Sequence, residues 1–220
     1  MFQVRLFKTL KEPYYTALQL RKAEDLTGFW MKLILLLLFS VLLAFVTSFL
    51  GVGNDILSAE LNQRSPIEFE TIKSLFAIGQ IGWSLFEALF ILFIPSLFFW
   101  ALSDIEWKKF IVVQQGVLVI LLIEKILLLP FAIFLGLSLD LSNPFSLGII
   151  GQALTNQEYV LQILSQISIF KIWAIVLQYK YIKVLADHSA KRTALFVIGF
   201  NVVILLISAF FSIMDLETYV

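Results

Sequence analysis

The residues able to do chemistry in this chain are few, and four of them stand inside apolar sequence. Glu87, Glu124, Lys125 and Lys171 each interrupt a stretch otherwise free of charge. An ionisable side chain at the centre of a bilayer costs at least about 2.5–3.5 kcal/mol on insertion scales, so such residues pair with one another or mark a path. Glu124 and Lys125 are consecutive, hence about 100° apart on a helix, and must face different neighbours. The economical pairing joins Lys125 to Glu87 and Glu124 to Lys171, which would place the third apolar segment between the second and the fourth. One reading of these pairs is glue that fixes register; the other is a path for an ion, a proton or a substrate. Balanced charge with no surplus acid favours glue.

Other polar residues fall into stripes. Gln80, Ser84 and Glu87 follow i, i+4, i+7, with Gly79 and Gly82 beside them for close packing. Gln114 and Lys125 are about three turns apart and share a face, as do Asn201, Ser208 and Ser212. Small and hydroxyl residues are what helix contacts in lipid use.

Catalytic chemistry is hard to assemble from what remains. The chain has no Cys and a single His, His188, so thiol chemistry, disulfides and multi-histidine metal sites are excluded. A serine–histidine intramembrane protease needs its histidine inside the bundle, whereas His188 falls in a connection beside Asp187 and reads as a solvated loop residue. Every aspartate (Asp25, Asp55, Asp104, Asp140, Asp187, Asp215) lies outside the apolar segments, which removes a buried aspartyl pair. Neither H-E-x-x-H nor a phosphate-cradling G-x-x-x-x-G-K-[ST] loop occurs. The expectation is therefore a non-enzymatic chain with no cofactor, no metal and no nucleotide.

The elements that must position the four charges are easy to trace. Of 220 residues 60% are hydrophobic and only 15% charged, and the mean hydropathy is +0.93. A soluble domain is about 45–50% apolar and about 25% charged. Net charge is zero, and no basic surface points to nucleic acid. Crossing the hydrocarbon takes roughly 20 residues, and five stretches qualify: 33–53, 75–102, 110–139, 159–179 and 193–214. Backbone groups in lipid must be satisfied internally, so each is expected to be a helix. The predicted fold is all-α, a five-helix transmembrane bundle over 30–214 behind an amphipathic lead over 1–29. Pro95 and Pro130 are expected to kink the second and third helices.

Lys and Arg are unequally distributed. Arg5, Lys8, Lys11, Arg21, Lys22 and Lys32 precede the first stretch; Lys108 and Lys109 follow the second; Lys180, Lys183, Lys191 and Arg192 follow the fourth. The opposite side has only Arg64 and Lys73. Positive residues stay in the cytoplasm, so the N-terminus is expected inside and the acidic tail Asp215–Val220 outside.

Two segments are expected on the membrane rather than across it. Phe2, Leu6 and Leu10 recur at i, i+4, i+8 with Arg5, Lys8 and Lys11 between them, the pattern of an interfacial helix drawn to anionic lipid. Pro13 should open a second helical piece, 14–26, and Gly28 should turn the chain into the first span. No cleavable signal is expected, because nearly thirty residues precede the apolar run. The connection Ser142–Gly151 is apolar for a loop and should dip into the interface or cap the bundle.

The lead Leu6-Phe7-Lys8-Thr9-Leu10-Lys11-Glu12-Pro13-Tyr14-Tyr15-Thr16-Ala17-Leu18 and the stretch from Phe170-Lys171-Ile172-Trp173 through Lys191-Arg192 to Thr193-Ala194-Leu195 resemble the opening and closing portions of the Yip-type (Ypt-interacting protein) membrane family. The resemblance implies five spans, an outside C-terminus and no enzymatic activity. It further implies a partner: trafficking components with small GTPases in eukaryotic members, exporters for some bacterial ones. None of Asn54, Asn62, Asn143, Asn156 and Asn201 forms an N-x-[ST] acceptor, and with the short loops this points to a bacterial plasma membrane. The expected role is an accessory protein that binds another membrane protein, such as an exporter subunit, through Arg5, Lys8, Lys11, Lys108, Lys109, Lys191 and Arg192. The alternative is a small transporter or channel using the four intramembrane charges.

The topology is open to direct measurement. Single cysteines at Ser58 and Ser142 should react with an impermeant maleimide from outside intact cells, while Ser103 and Ser189 should not; labelling at Ser189 with protection at Ser142 reverses the orientation.

Overall fold

The computed structural model describes residues 1–52, 66–135 and 143–213. The predicted outer loop with Arg64, the end of the third span at 136–139 and the acidic tail lie outside the described residues. Helix dominates: α1 (Leu6–Lys11), α2 (Pro13–Lys22), α3 (Phe29–Phe49), α4 (Pro66–Ala101), α5 (Trp107–Leu135), α6 (Gly148–Leu154), α7 (Glu158–Ser165), α8 (Ile169–Leu185) and α9 (Ala190–Ile213). The described strands are two-residue pieces, β1 (Phe2–Gln3) and β2 (Leu26–Thr27), paired in parallel. Among the described residues, four helices are long and apolar enough to cross a membrane: α3, the 70–101 part of α4, α5, and the 190–211 part of α9. The chain is a multi-pass, all-α membrane protein. α4 and α5 run through Pro95 and Pro130 as continuous helices.

The fourth predicted span is not one helix. It divides into α7 and α8 with residues 166–168 between them. Ser168 is extended and its hydroxyl accepts from Lys171 N, capping α8. The connection before it supplies the reason. Leu147 N donates to Ile167 O at 3.0 Å and Ile169 N to Phe145 O at 3.0 Å. A short antiparallel pairing, Ser146 with Ser168, thus satisfies backbone groups that a continuous helix would have satisfied itself. The apolar connection also forms α6, which closes on α7. A Cβ on Gly151 would lie 2.8 Å from Leu164 Cδ1.

α5 is the central element, with α4 on one side and α8 on the other and with α1 and α3 also against it. Phe110, Ile111, Val112 and Val113 are each fully buried, so this end of α5 is covered all round. Part of that cover is the lead. Its apolar residues face the protein instead of lying on lipid: Phe2, Val4, Ala17 and Leu20 are buried, while Phe7, Tyr14 and Tyr15 point outward. α2 begins at Pro13 as its fixed φ favours but ends at Lys22, short of Leu26, because Leu26 and Thr27 pair with Phe2 and Gln3. Gly28 then adopts a left-handed φ of 75° and turns the chain into α3.

Polar clamps fix the lead to the helix ends. Arg21 donates to Val184 O at 3.2 Å and to the Asp187 carboxylate at 3.0 Å. Lys109 donates to Arg21 O at 3.2 Å, and the Tyr181 hydroxyl to Thr9 O at 3.2 Å. Asp187 itself sits at a φ of 54° in the turn between α8 and α9, a conformation that Asp tolerates better than most residues. The hydrogen bond and charge of Arg21 hold its carboxyl below the ordinary carboxylate value. His188 is not free in solvent: Nε2 lies 3.2 Å from Leu102 O, and its ring meets the edge of Phe196.

Close packing occurs at a glycine other than those expected. Gly79 and Gly82 face open space, whereas a Cβ on Gly116 would lie 3.1 Å from Leu177 and 3.2 Å from Thr9. Gly116→Leu should therefore overpack the meeting point of lead, α5 and α8, at a cost of about 1–3 kcal/mol. Gly82→Leu should leave the unfolding temperature of the detergent-solubilised protein nearly unchanged.

A polar layer at mid-depth as the candidate functional site

The four intramembrane charges occupy one level of the bundle. At 1.5 Å per residue, Lys125 stands about 27 Å along α5 from Trp107, and Glu87 and Lys171 about 21 Å from the corresponding ends of α4 and α8. Lys125 Nζ donates to Glu87 Oε2 at 2.5 Å, joining α5 to α4. The second expected pair is not made. Lys171 Nζ donates to Gln166 Oε1 at 2.6 Å, and Glu124 Oε1 accepts from Asn143 Nδ2 at 3.2 Å.

The break between α7 and α8 explains the exchange of partners. It frees Gln166 from the helix and brings the connection at 143–147 against it. That connection is rigidly folded: Asn143 Oδ1 accepts from Phe145 N at 2.8 Å, and Ser146 Oγ donates to Asn143 O at 3.0 Å. Asn143 is thereby buried with its amide aimed at Glu124. An amide donor supports a carboxylate without adding charge. Gln166 likewise accepts from an ammonium without adding charge.

Three further polar contacts link the helices. Ser40 and Ser84 hydroxyls meet at 2.8 Å between α3 and α4. Nearer the lead, Gln178 Nε2 donates to Gln114 Oε1 at 3.0 Å, and Asn201 Nδ2 to Gln178 Oε1 at 2.8 Å, a chain from α5 through α8 to α9. Gln114 and Lys125 share an azimuth on α5 yet serve α8 and α4 respectively, because crossing helices change neighbours along their length. Ser208 is half-buried, and the Ser212 side chain lies outside the described residues.

Sequence reasoning missed Asn143, Gln166, Gln178 and Ser40. Gln178 carried a signal, since it stands seven residues after Lys171 on the same helical face. Asn143 carried only its place before Pro144, which marks a turn and not a partner for Glu124. Among the basic residues expected to meet a partner, Arg5, Lys11, Lys108, Lys191 and Arg192 are exposed and Lys8 is half-exposed. Lys109 is buried and engaged with Arg21 O, so it serves the fold.

The Glu87–Lys125 pair does not lie in the bundle interior. The side chains remain 37% and 43% exposed on the flank between α4 and α5. Beside Glu87, Trp83, Phe86 and Phe90 form an outward aromatic ridge, with ring centroids 5.6 Å and 6.3 Å apart. Comparison with protein-family models, curated proteins and solved structures finds no match to the chain.

A mutant cycle tests the pair. Lys125→Met should cost about 2.5–3.5 kcal/mol by leaving Glu87 without its counter-charge in lipid. Adding Glu87→Gln should recover most of the loss in unfolding temperature; a double variant as damaged as the two singles summed refutes the coupling.

Proposed function

We propose that the chain is a non-catalytic accessory protein whose α4–α5 flank receives a transmembrane helix of another membrane protein. The observation that carries this reading is the half-exposed Glu87–Lys125 pair at mid-depth. Charged residues at this depth ordinarily face a bundle interior or an aqueous cavity. A helix with a polar side chain laid across the flank would supply that enclosure, and the ridge Trp83–Phe86–Phe90 would supply the large apolar contacts that dominate binding surfaces. The satisfied state of Glu124 and Lys171 within the chain supports glue inside the bundle and contact outside it.

The same proposal includes the finer topology. α7 and α8 together would form a broken fourth span and bring the total to five, placing the lead in the cytoplasm and the C-terminus outside, in a bacterial plasma membrane. The Yip-type resemblance, with an exporter component as partner, belongs to this proposal too. Lys11, Lys108, Lys191 and Arg192 are then available to the partner's cytoplasmic segments, and membrane lipid surrounds the rest.

One observation favours a second reading, a small transporter: the helix break at 166–168 stands beside Lys171 and Glu124, and transporters bind solutes at such discontinuities. A photoreactive phenylalanine analogue at Phe86 or Phe90 should crosslink one stoichiometric membrane protein in native membranes, while the same probe at Val203 on α9 should not. Self-crosslinks alone would make the flank a homo-oligomer contact and end the accessory reading. Solute flux by the purified protein in liposomes, stopped by Lys171→Gln without loss of folded protein, would establish the transporter instead.

A further inference from the structure

A cleft of about 450 Å³ opens in the lead between the β1–α1 segment and α2, with Arg5, Lys8, Lys22, Gln3 and Gln19 in its walls. Three cationic side chains line it, and the lining holds no carboxylate. Two of the cations are held in place. Arg5 Nε and Nη2 both donate to Gln3 Oε1, at 3.0 Å and 2.8 Å, and Lys8 Nζ rests 5.1 Å over the Tyr15 ring. The neighbouring basic residue Arg21 is turned away and spent on Val184 and Asp187.

The depth of the cleft identifies its occupant. From Lys22 and Ala23 in its wall the chain runs through β2 and Gly28 directly into α3, whose second residue Trp30 is 60% exposed. Aromatic side chains of that kind sit at the level of lipid headgroups. Phe7, Tyr14 and Tyr15, on the same small unit, are also turned outward, at 75%, 64% and 53% exposure. The apolar face of the lead is already consumed against α5 and α8, so these rings are what remains for the membrane. We infer that the cleft binds the phosphate of an anionic glycerophospholipid headgroup, with Arg5, Lys8 and Lys22 donating charge-assisted hydrogen bonds to its oxygens. The volume lies within the usual range for a small-ligand site, about 300–1,000 Å³. Phosphate free in solution offers the same chemistry, but the ring of outward aromatics favours the lipid. This inference is independent of the accessory role and of which face of the membrane carries the lead.

The test uses the full chain in a neutral detergent, titrated with dihexanoyl phosphatidic acid and, separately, with inorganic phosphate. The phosphatidic acid should bind saturably. The variant R5Q/K8Q/K22Q should weaken it by at least about tenfold, whereas K32Q/K180Q/K183Q, which removes as much charge from the same end of the bundle, should not. Q19E provides a second reading that does not depend on the triple variant folding: one carboxylate at the exposed position Gln19 should repel the ligand and weaken binding comparably. Inorganic phosphate binding as tightly as the lipid, with the same loss in both variants, would overturn the lipid assignment. Absence of binding by the unmodified protein, or equal loss in the K32Q/K180Q/K183Q control, would overturn the site altogether.

Discussion

Where Thr9 and Leu177 close on Gly116, with 3.1 to 3.2 Å left for any Cβ, three parts of the chain meet: the lead, α5 and α8. Much else is arranged around that approach. Because α1 lies so near α5, the Tyr181 hydroxyl reaches Thr9 O and α2 comes close enough for Arg21 to reach the end of α8. Because α8 lies so near α5, Gln178 meets Gln114. A side chain at position 116 would push the lead outward and undo both contacts. The lead is consequently a structural part of the bundle, and the apolar surface it would have offered to lipid is already covered.

The opposite pole is the polar layer at mid-depth. Hydrocarbon forces every polar group there to find a partner within the protein, and the chain meets this demand in two ways. Lys125 and Glu87 neutralise each other on the flank. Lys171 and Glu124 are instead solvated by amides delivered through a helix break and a folded connection, Gln166 and Asn143. The first arrangement leaves both charges part-exposed; the second buries Glu124 and leaves Lys171 half-buried.

At the far end of the molecule the lead turns its cations and its aromatic rings outward while its aliphatic residues are enclosed. Such a unit has its shape set by the bundle and its chemistry set for the headgroup layer. The cleft and the flank are some 20–30 Å apart along the helices, so a lipid and a protein neighbour could be held at once without competing.

Much of this was legible in the residues alone. The apolar lengths determined which helices are long enough to cross a membrane, because hydrophobic transfer is additive along a segment and needs no neighbour. Pro13 and Gly28 determined a helix start and a turn, because their backbone preferences are local. The match of Lys125 to Glu87 followed from charge and depth, as did the place of α5 between α4 and α8. The tertiary structure decided the rest. The fourth stretch broke because Phe145 and Leu147 offered backbone partners from outside it, which no periodicity within 159–179 encodes. Glu124 took Asn143, and Lys171 took Gln166, because the helix break and the folded connection bring those amides within hydrogen-bond reach. Close packing went to Gly116 and left Gly79 and Gly82 in the open, because a glycine is used only where another element arrives. The amphipathic lead had two apolar surfaces to choose between, lipid and protein, and its sequence pattern is equally satisfied by either; only the groove between α5 and α8 settled which one it covers.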